Sequence, residues 1–281
     1  MTQSIAGILL ALLVGCAKPV PAGEISLAGH AEQGGLLFGI APPGTSVLRL
    51  GDVPVRLAGD GRFVVGFGRD APASAILTAT LADGRAVTRT VDVEKRTYQV
   101  ESIPSLHRPT TGPSPEYEAM RAPELAMITG ARTGETSETG WTQAFEWPAQ
   151  GRISGVYGSQ RILGGVPSSP HYGVDIAAPA GTPIVAPADG IVRQAGQLFS
   201  LEGNLVMIDH GHGLGSAFLH LSRVDVVIGE QVKRGQTIGA IGTTGRSTGP
   251  HLHWGMTWHD VKIDPQLLVG AMPGAPEATK P

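Results

Sequence analysis

A single cysteine, Cys16, stands among the 281 residues. An intrachain disulfide is therefore excluded, as is a zinc site built from thiolates, so a metal would have to be held by His, Asp or Glu. Aromatics are scarce at 5%, whereas Gly (40) and Pro (22) are abundant. That balance favours short strands joined by many turns over a helical bundle. Positive charge is not in excess: 21 Lys and Arg face 24 Asp and Glu, a formal net charge of −3. The electrostatic case for a nucleic-acid partner is absent. The apolar run from Ile5 to Val14 has ten residues, too few to span a bilayer but suited to the core of an export signal.

The lone cysteine closes that run. Leu13-Val14-Gly15-Cys16 resembles the bacterial lipobox, in which the cysteine is diacylated and becomes the mature N-terminus. Met1 to Gly7 carries no Lys or Arg, a departure from the usual basic start, and an ordinary cleaved signal is the alternative. Ala17 is not the Asp that favours inner-membrane retention, so the resemblance implies an exported lipoprotein on the periplasmic face of the outer membrane. Its signal peptide would be residues 1–15 and its tether residues 16–23.

Residues 24–102 read as a small β-sandwich-like domain. Leu36 to Ile40, Ser46 to Leu50, Arg62 to Phe67, Ala75 to Leu81 and Ala86 to Val93 have strand character, and Asp83-Gly84 between two of them signals a two-residue hairpin. No catalytic cluster occurs here, which leaves a spacer or a docking domain for a protein partner. Residues 103–140 form a short helical linker with prolines 104, 109, 113 and 115. A helix is expected from Glu116 to Ala131, interrupted by Pro123. His107 lies among the prolines and reads as exposed. The β-pattern resumes over residues 141–270, and residues 271–281 read as a disordered tail.

Chemistry concentrates in that last domain. His251 and His253 flank Leu252 in an expected strand, so both imidazoles share one face about 7 Å apart while Leu252 faces the core. His171 and Asp175 are expected on an irregular turn entering a strand. His210 and His212 share the same spacing of two, but Gly211 and Gly213 mark a turn, and His259 reads as surface. No His-Glu-x-x-His helix supplies a glutamate base.

Three segments, His171-Tyr172-Gly173-Val174-Asp175, Phe218-Leu219-His220-Leu221-Ser222 and Thr248 to Trp254, resemble the LytM/lysostaphin-type zinc metallopeptidases, which cut the peptide part of bacterial peptidoglycan. Arg152 to Gly158, Ala177 to Pro183, Ala188 to Val192, Val232 to Gln236 and Gly242 to His251 extend the likeness, which covers roughly Trp147 to Leu268. The resemblance implies a mainly β fold whose C-terminal antiparallel sheet carries a duplicated lipoyl/biotinyl-like motif. It implies one Zn2+ per chain on His171, Asp175 and His253, with His220 and His251 catalytic. Three protein ligands leave a position open for water, and histidine can accept and return a proton near neutrality. Tyr172, Thr244, Ser247 and Thr248 are candidate substrate contacts.

The implied reaction is endopeptidase cleavage of peptidoglycan cross-links, with D-alanyl–meso-diaminopimelate bonds the expected target in a thin Gram-negative wall. A non-catalytic regulator of the same family would show degenerate ligands, and here all five positions are filled. A lipoyl-type carrier would need an exposed hairpin lysine; Lys233 sits in an ordinary polar turn. Some relatives block the open metal position with an upstream asparagine, but Asn204 is the only asparagine in the chain. Steric cover by the linker helix is the remaining route to latency.

Overall fold

A computed structural model describes residues 23–105, 114–134 and 136–273. Cys16, the export signal, most of the tether, His107 and residues 274–281 of the tail lie outside the described residues. The N-terminal region forms two antiparallel sheets. One comprises Ser26–Ala28, Leu36–Ile40 and Arg62–Gly66; the other, in spatial order, Val53–Val55, Thr45–Leu50, Ser74–Leu81 and Ala86–Asp92. Period-two alternation drives their packing: Leu77, Ala79 and Leu81 are buried, and the residues between them are not. Leu37, Phe63, Leu48 and Leu77 join one apolar cluster that continues into the C-terminal domain.

The Asp83-Gly84 hairpin differs from expectation. Leu81 donates to the carbonyl of Arg85 at 2.8 Å, so the loop has three residues, Ala82, Asp83 and Gly84. Gly84, at φ 85°, takes the left-handed position that closes a three-residue loop.

The linker holds one uninterrupted 18-residue helix, Pro115–Arg132. Ser114 caps it by accepting the Tyr117 N–H, and Pro115 opens it where no amide donor is needed. Pro123 does not break it. The proline and Ala119, the residue four earlier whose carbonyl loses its partner, are both exposed, so water can replace the missing bond. The opposite face, Arg121, Glu124 and Ile128, docks on the C-terminal domain. Arg121 makes a bidentate pair with Glu202 at 2.7 and 2.6 Å. Glu124 accepts from the amide and hydroxyl of Ser200 at 2.7 and 2.6 Å. Ile128 packs with Phe199, Leu205 and Met207.

The C-terminal domain is built on one large sheet. Its order is Gln231–Val232, Gly190–Phe199, Gly203–Asp209, Leu214–Leu221, His251–Trp258, Val174–Ala177 and Arg152–Gly155, with Val261–Ile263 added to His251–Trp258. A smaller sheet joins Pro183–Val185, Thr237–Ala240 and Arg223–Val224. Gln197 to Gly203 is the end of a hairpin, with Phe199 paired to Gly203. Within Ser159 to Pro170, Gln160–Leu163 pairs with Val166–Pro167 and with Val100–Ile103, which runs parallel to it. The N-terminal region thus contributes a strand beside the segment that leads to His171.

Candidate metal centre

Strand register assembles the site. In His251–Trp258, Leu252 and Trp254 are fully buried on the core side, which turns His251 and His253 to the open face. Asp175, in Val174–Ala177, is the direct cross-strand partner of His253. His171 precedes that strand in irregular chain, as its glycine-containing context implies, while Asp175 lies within the strand itself.

His171 Nδ1–H donates to the Val156 carbonyl at 3.1 Å, since a carbonyl only accepts. In the neutral ring that leaves the lone pair on Nε2, and in the protonated ring Nε2–H donates to Asp175. His171 Nε2 lies 3.1 Å from Asp175 Oδ1 and 3.0 Å from His253 Nδ1, and His253 Nδ1 lies 2.9 Å from Asp175 Oδ1. Among the described residues these three form the one group with metal-ligating geometry. Zinc bonds of 2.0–2.1 Å at tetrahedral angles separate ligand atoms by about 3.3 Å. The triangle is close to that size, and two imidazoles with one carboxylate are suitable donors, so the residues fit a zinc ion.

Burial alone disfavours the Asp175 carboxylate, yet hydrogen bonds from His171 and His253 hold it well below the usual carboxylate range. Burial likewise pushes His171 down, but the Asp175 carboxylate and the Val156 and Gly173 backbones leave it above its ordinary value. His253, buried more completely, stays below. Gly173 and Gly155 make room for the His253 and Asp175 side chains. A Cβ at Gly173 would fall 2.6 Å from His253 Nε2, and one at Gly155 would fall 2.3 Å from Asp175 Oδ2.

His220 and His251 stand beside the triangle with ring centroids 4.8 Å apart. His220, the penultimate residue of its strand, lies in the left-handed region at φ 67°, unusual for a residue with a Cβ. Its amide donates to the Glu202 carbonyl and its Nδ1–H to the Thr244 carbonyl, both at 2.8 Å. His251 Nδ1–H donates to the Gly249 carbonyl at 2.8 Å, with Ser247 Oγ at 3.2 Å. Each ring therefore keeps Nε2 unprotonated when neutral. Burial, then the neighbouring histidines, lowers the proton affinity of His220.

The candidate substrate contacts occupy different settings. The Thr244 hydroxyl donates to the Leu221 carbonyl and accepts the Asn204 amide, both at 2.9 Å. It braces His220. Ser247 donates to the Gly249 carbonyl at 2.8 Å, under His251. Thr248 is exposed, and Tyr172 lies at the rim with its ring 6.2 Å from that of Tyr157. Asn204, whose side chain donates to the Leu221 carbonyl at 3.0 Å, belongs to the same brace.

Three other histidines of this domain serve packing. His212 stacks on Trp141 at 4.1 Å. His259, expected at the surface, is half-buried with its ring 4.8 Å from that of Trp258. His210 is fully buried between the Asp189 carbonyl and the Ser216 hydroxyl, each at 2.8 Å, and burial pushes it down to about 4. The unfolded chain, near 6.5, then takes up a proton first as the pH falls. Stability is lost between about pH 6.5 and 4, by up to about 3 kcal/mol, and levels off below. Urea titrations across that window should show a shallower slope for His210→Gln; an unchanged slope assigns the acid lability elsewhere.

Comparison with known proteins points to one family. The pattern of peptidase family M23 matches residues 169–265. The chain is 45% identical over 98 residues to the peptidoglycan DD-endopeptidase ShyC of Vibrio cholerae, covering 35% of this chain and 22% of that protein. It is 32% identical over 158 residues to the cell division protein DipM of Caulobacter vibrioides, covering 54% and 24%. Each match thus spans about a quarter of the curated relative's length. A crystal structure from Pseudomonas aeruginosa, assigned to peptidase M23, superimposes with a TM-score of 0.61 at 30% identity, covering 85% of this chain and 95% of that one. With likeness extending over nearly the whole of that structure, the chain belongs to peptidase family M23.

Proposed function

We propose that this protein is a zinc-dependent endopeptidase that cleaves peptide cross-links in bacterial peptidoglycan, D-alanyl–meso-diaminopimelate bonds in particular. The observation that carries the reading is the three-atom ligand triangle of His171, Asp175 and His253 beside two histidines whose Nε2 atoms are free. Names of relatives, such as the DD-endopeptidases ShyC and ShyA of Vibrio cholerae, support the substrate.

In this reading His171, Asp175 and His253 hold one zinc ion. When bound, zinc polarises a carbonyl oxygen and makes water acidic enough to ionise near pH 7. His220 and His251 accept a proton at Nε2 and return it to the leaving amine, with each tautomer fixed by a backbone carbonyl. Thr244 orients His220 and Ser247 orients His251. Tyr172 and Thr248, both exposed, touch the peptide in this reading.

Incubation of the purified protein with peptidoglycan should convert cross-linked dimers to monomers, read by mass spectrometry of the fragments. Chelator should abolish the conversion and added zinc restore it. Intact cross-links after exposure to the zinc-loaded protein contradict the proposal.

We also propose export and lipid anchoring through Cys16. No helix among the described residues is long and apolar enough to cross a membrane. A fatty-acid probe fed to cells should label the wild-type protein and not Cys16→Ser; equal labelling of both removes the anchor.

A further inference from the structure

We propose that the N-terminal domain is part of the metal centre, and that Arg69 and Tyr98 are positioning residues acting through the segment 156–159 on the imidazole of His171. This rests on the ligand set proposed above. Asp175 and His253 are fixed by strand pairing within the large sheet. His171 is not, because it lies outside any strand. Its holds run instead to one short stretch. Nδ1–H donates to the Val156 carbonyl at 3.1 Å. Its amide donates to the Ser159 carbonyl at 2.8 Å, and its own carbonyl accepts the Gly158 amide at 2.8 Å.

That stretch is itself irregular, a turn between Arg152–Gly155 and Gln160–Leu163 with Gly158 at φ 78°. What grips it comes from the N-terminal domain. Arg69 Nε donates to the Gly158 carbonyl at 2.9 Å, and its side chain is only 12% exposed. The guanidinium lies 4.6 Å from the centre of the Tyr98 ring. Tyr98 in turn covers Gly158 so closely that a Cβ there would fall 2.0 Å from its ring. The Tyr98 hydroxyl donates to the Gln33 carbonyl at 3.1 Å, which ties the ring back to the N-terminal domain. One residue further, the Gln160 amide donates to the Gln99 carbonyl at 2.9 Å, and Val100–Ile103 extends that edge. The path from Arg69 and Tyr98 through Gly158 to His171 is continuous.

The Val156 carbonyl selects the tautomer that presents Nε2 to a metal. Removing outer partners of ligating histidines typically weakens metal binding 10–100-fold. Arg69 and Tyr98 act one step further out, so about 10-fold is expected for each. Neither loss can exceed that of removing His171 itself.

Zinc dissociation constants of the metal-free protein with both domains, measured by competition with a chromophoric chelator, test the inference. Arg69→Ala and Tyr98→Ala should bind about 10-fold more weakly than wild type. Tyr98→Phe keeps the ring over Gly158 and loses only the bond to the Gln33 carbonyl, so it should bind zinc more tightly than Tyr98→Ala. Val91→Ala truncates a buried side chain on a strand that pairs with Ser74–Leu81 and not with the segment 156–159, so it should melt earlier yet bind zinc as wild type does. Unchanged affinity in Arg69→Ala and Tyr98→Ala, or equal weakening by Val91→Ala, overturns the inference. In either case weak binding by His171→Ala leaves the proposed ligand set standing. Wild-type affinity in His171→Ala overturns both.

Discussion

Replacing His171, Asp175 or His253 by Ala should leave the protein nearly free of zinc and without measurable cross-link cleavage. In the proposed site three protein ligands offer no redundancy, because the fourth position would belong to the reaction. Asp175 carries the further burden of charge. Its Oδ1 lies within 3.1 Å of both ligand nitrogens, and it is the carboxylate of the set. Asp175→Asn keeps the shape and removes the charge, so it should lose most of the metal despite near-identical packing. Metal content by mass spectrometry, measured beside cleavage and thermal melting, separates this from misfolding. Stoichiometric zinc in folded His253→Ala would mean that the ligands are wrongly assigned.

Part of this site is legible from sequence because strand periodicity is local. His251 and His253 must share a face whenever Leu252 is buried, and that needs no tertiary information. The strands Leu36–Ile40 and Ala86–Asp92 are readable for the same reason. What joins His171 to His253, 82 positions apart, is register between strands, for which spacing carries no signal. The resemblance to a metallopeptidase family supplied that link.

Other features were hidden by context. Pro123 signals a break, but exposure of Ala119 lets water take the lost bond, so the helix continues. Gly155 and Gly173 look like ordinary turn residues until a carboxylate and an imidazole occupy the space a Cβ would fill. Val100–Ile103 reads as the end of one domain, whereas its parallel partner lies in the other. His259 follows the last residue of a strand, a position that reads as exposed, yet the adjacent Trp258 draws it inward.

His220→Ala should give the opposite dissociation of properties: near-stoichiometric zinc with turnover reduced about 10²–10⁴-fold, the usual worth of a positioned acid or base. Its ring centroid stands 6.5 Å from that of His253, and its Nδ1 is committed to the Thr244 carbonyl, outside the ligand triangle. His251→Ala should behave similarly with some loss of affinity, since His251 Nε2 lies 4.0 Å from Asp175 Oδ1. The pH profile gives a second reading of the same residue. Burial, reinforced by His251 and His253, depresses the proton affinity of His220, so the neutral base predominates above the ordinary histidine value of about 6.5. Turnover should therefore be level at neutral pH and fall only as the pH drops through a value below 6.5, with zinc content measured at each point to exclude metal loss. In His220→Ala the residual rate should lack that limb. Full activity in this variant, with zinc bound, would assign the proton transfer to His251 alone.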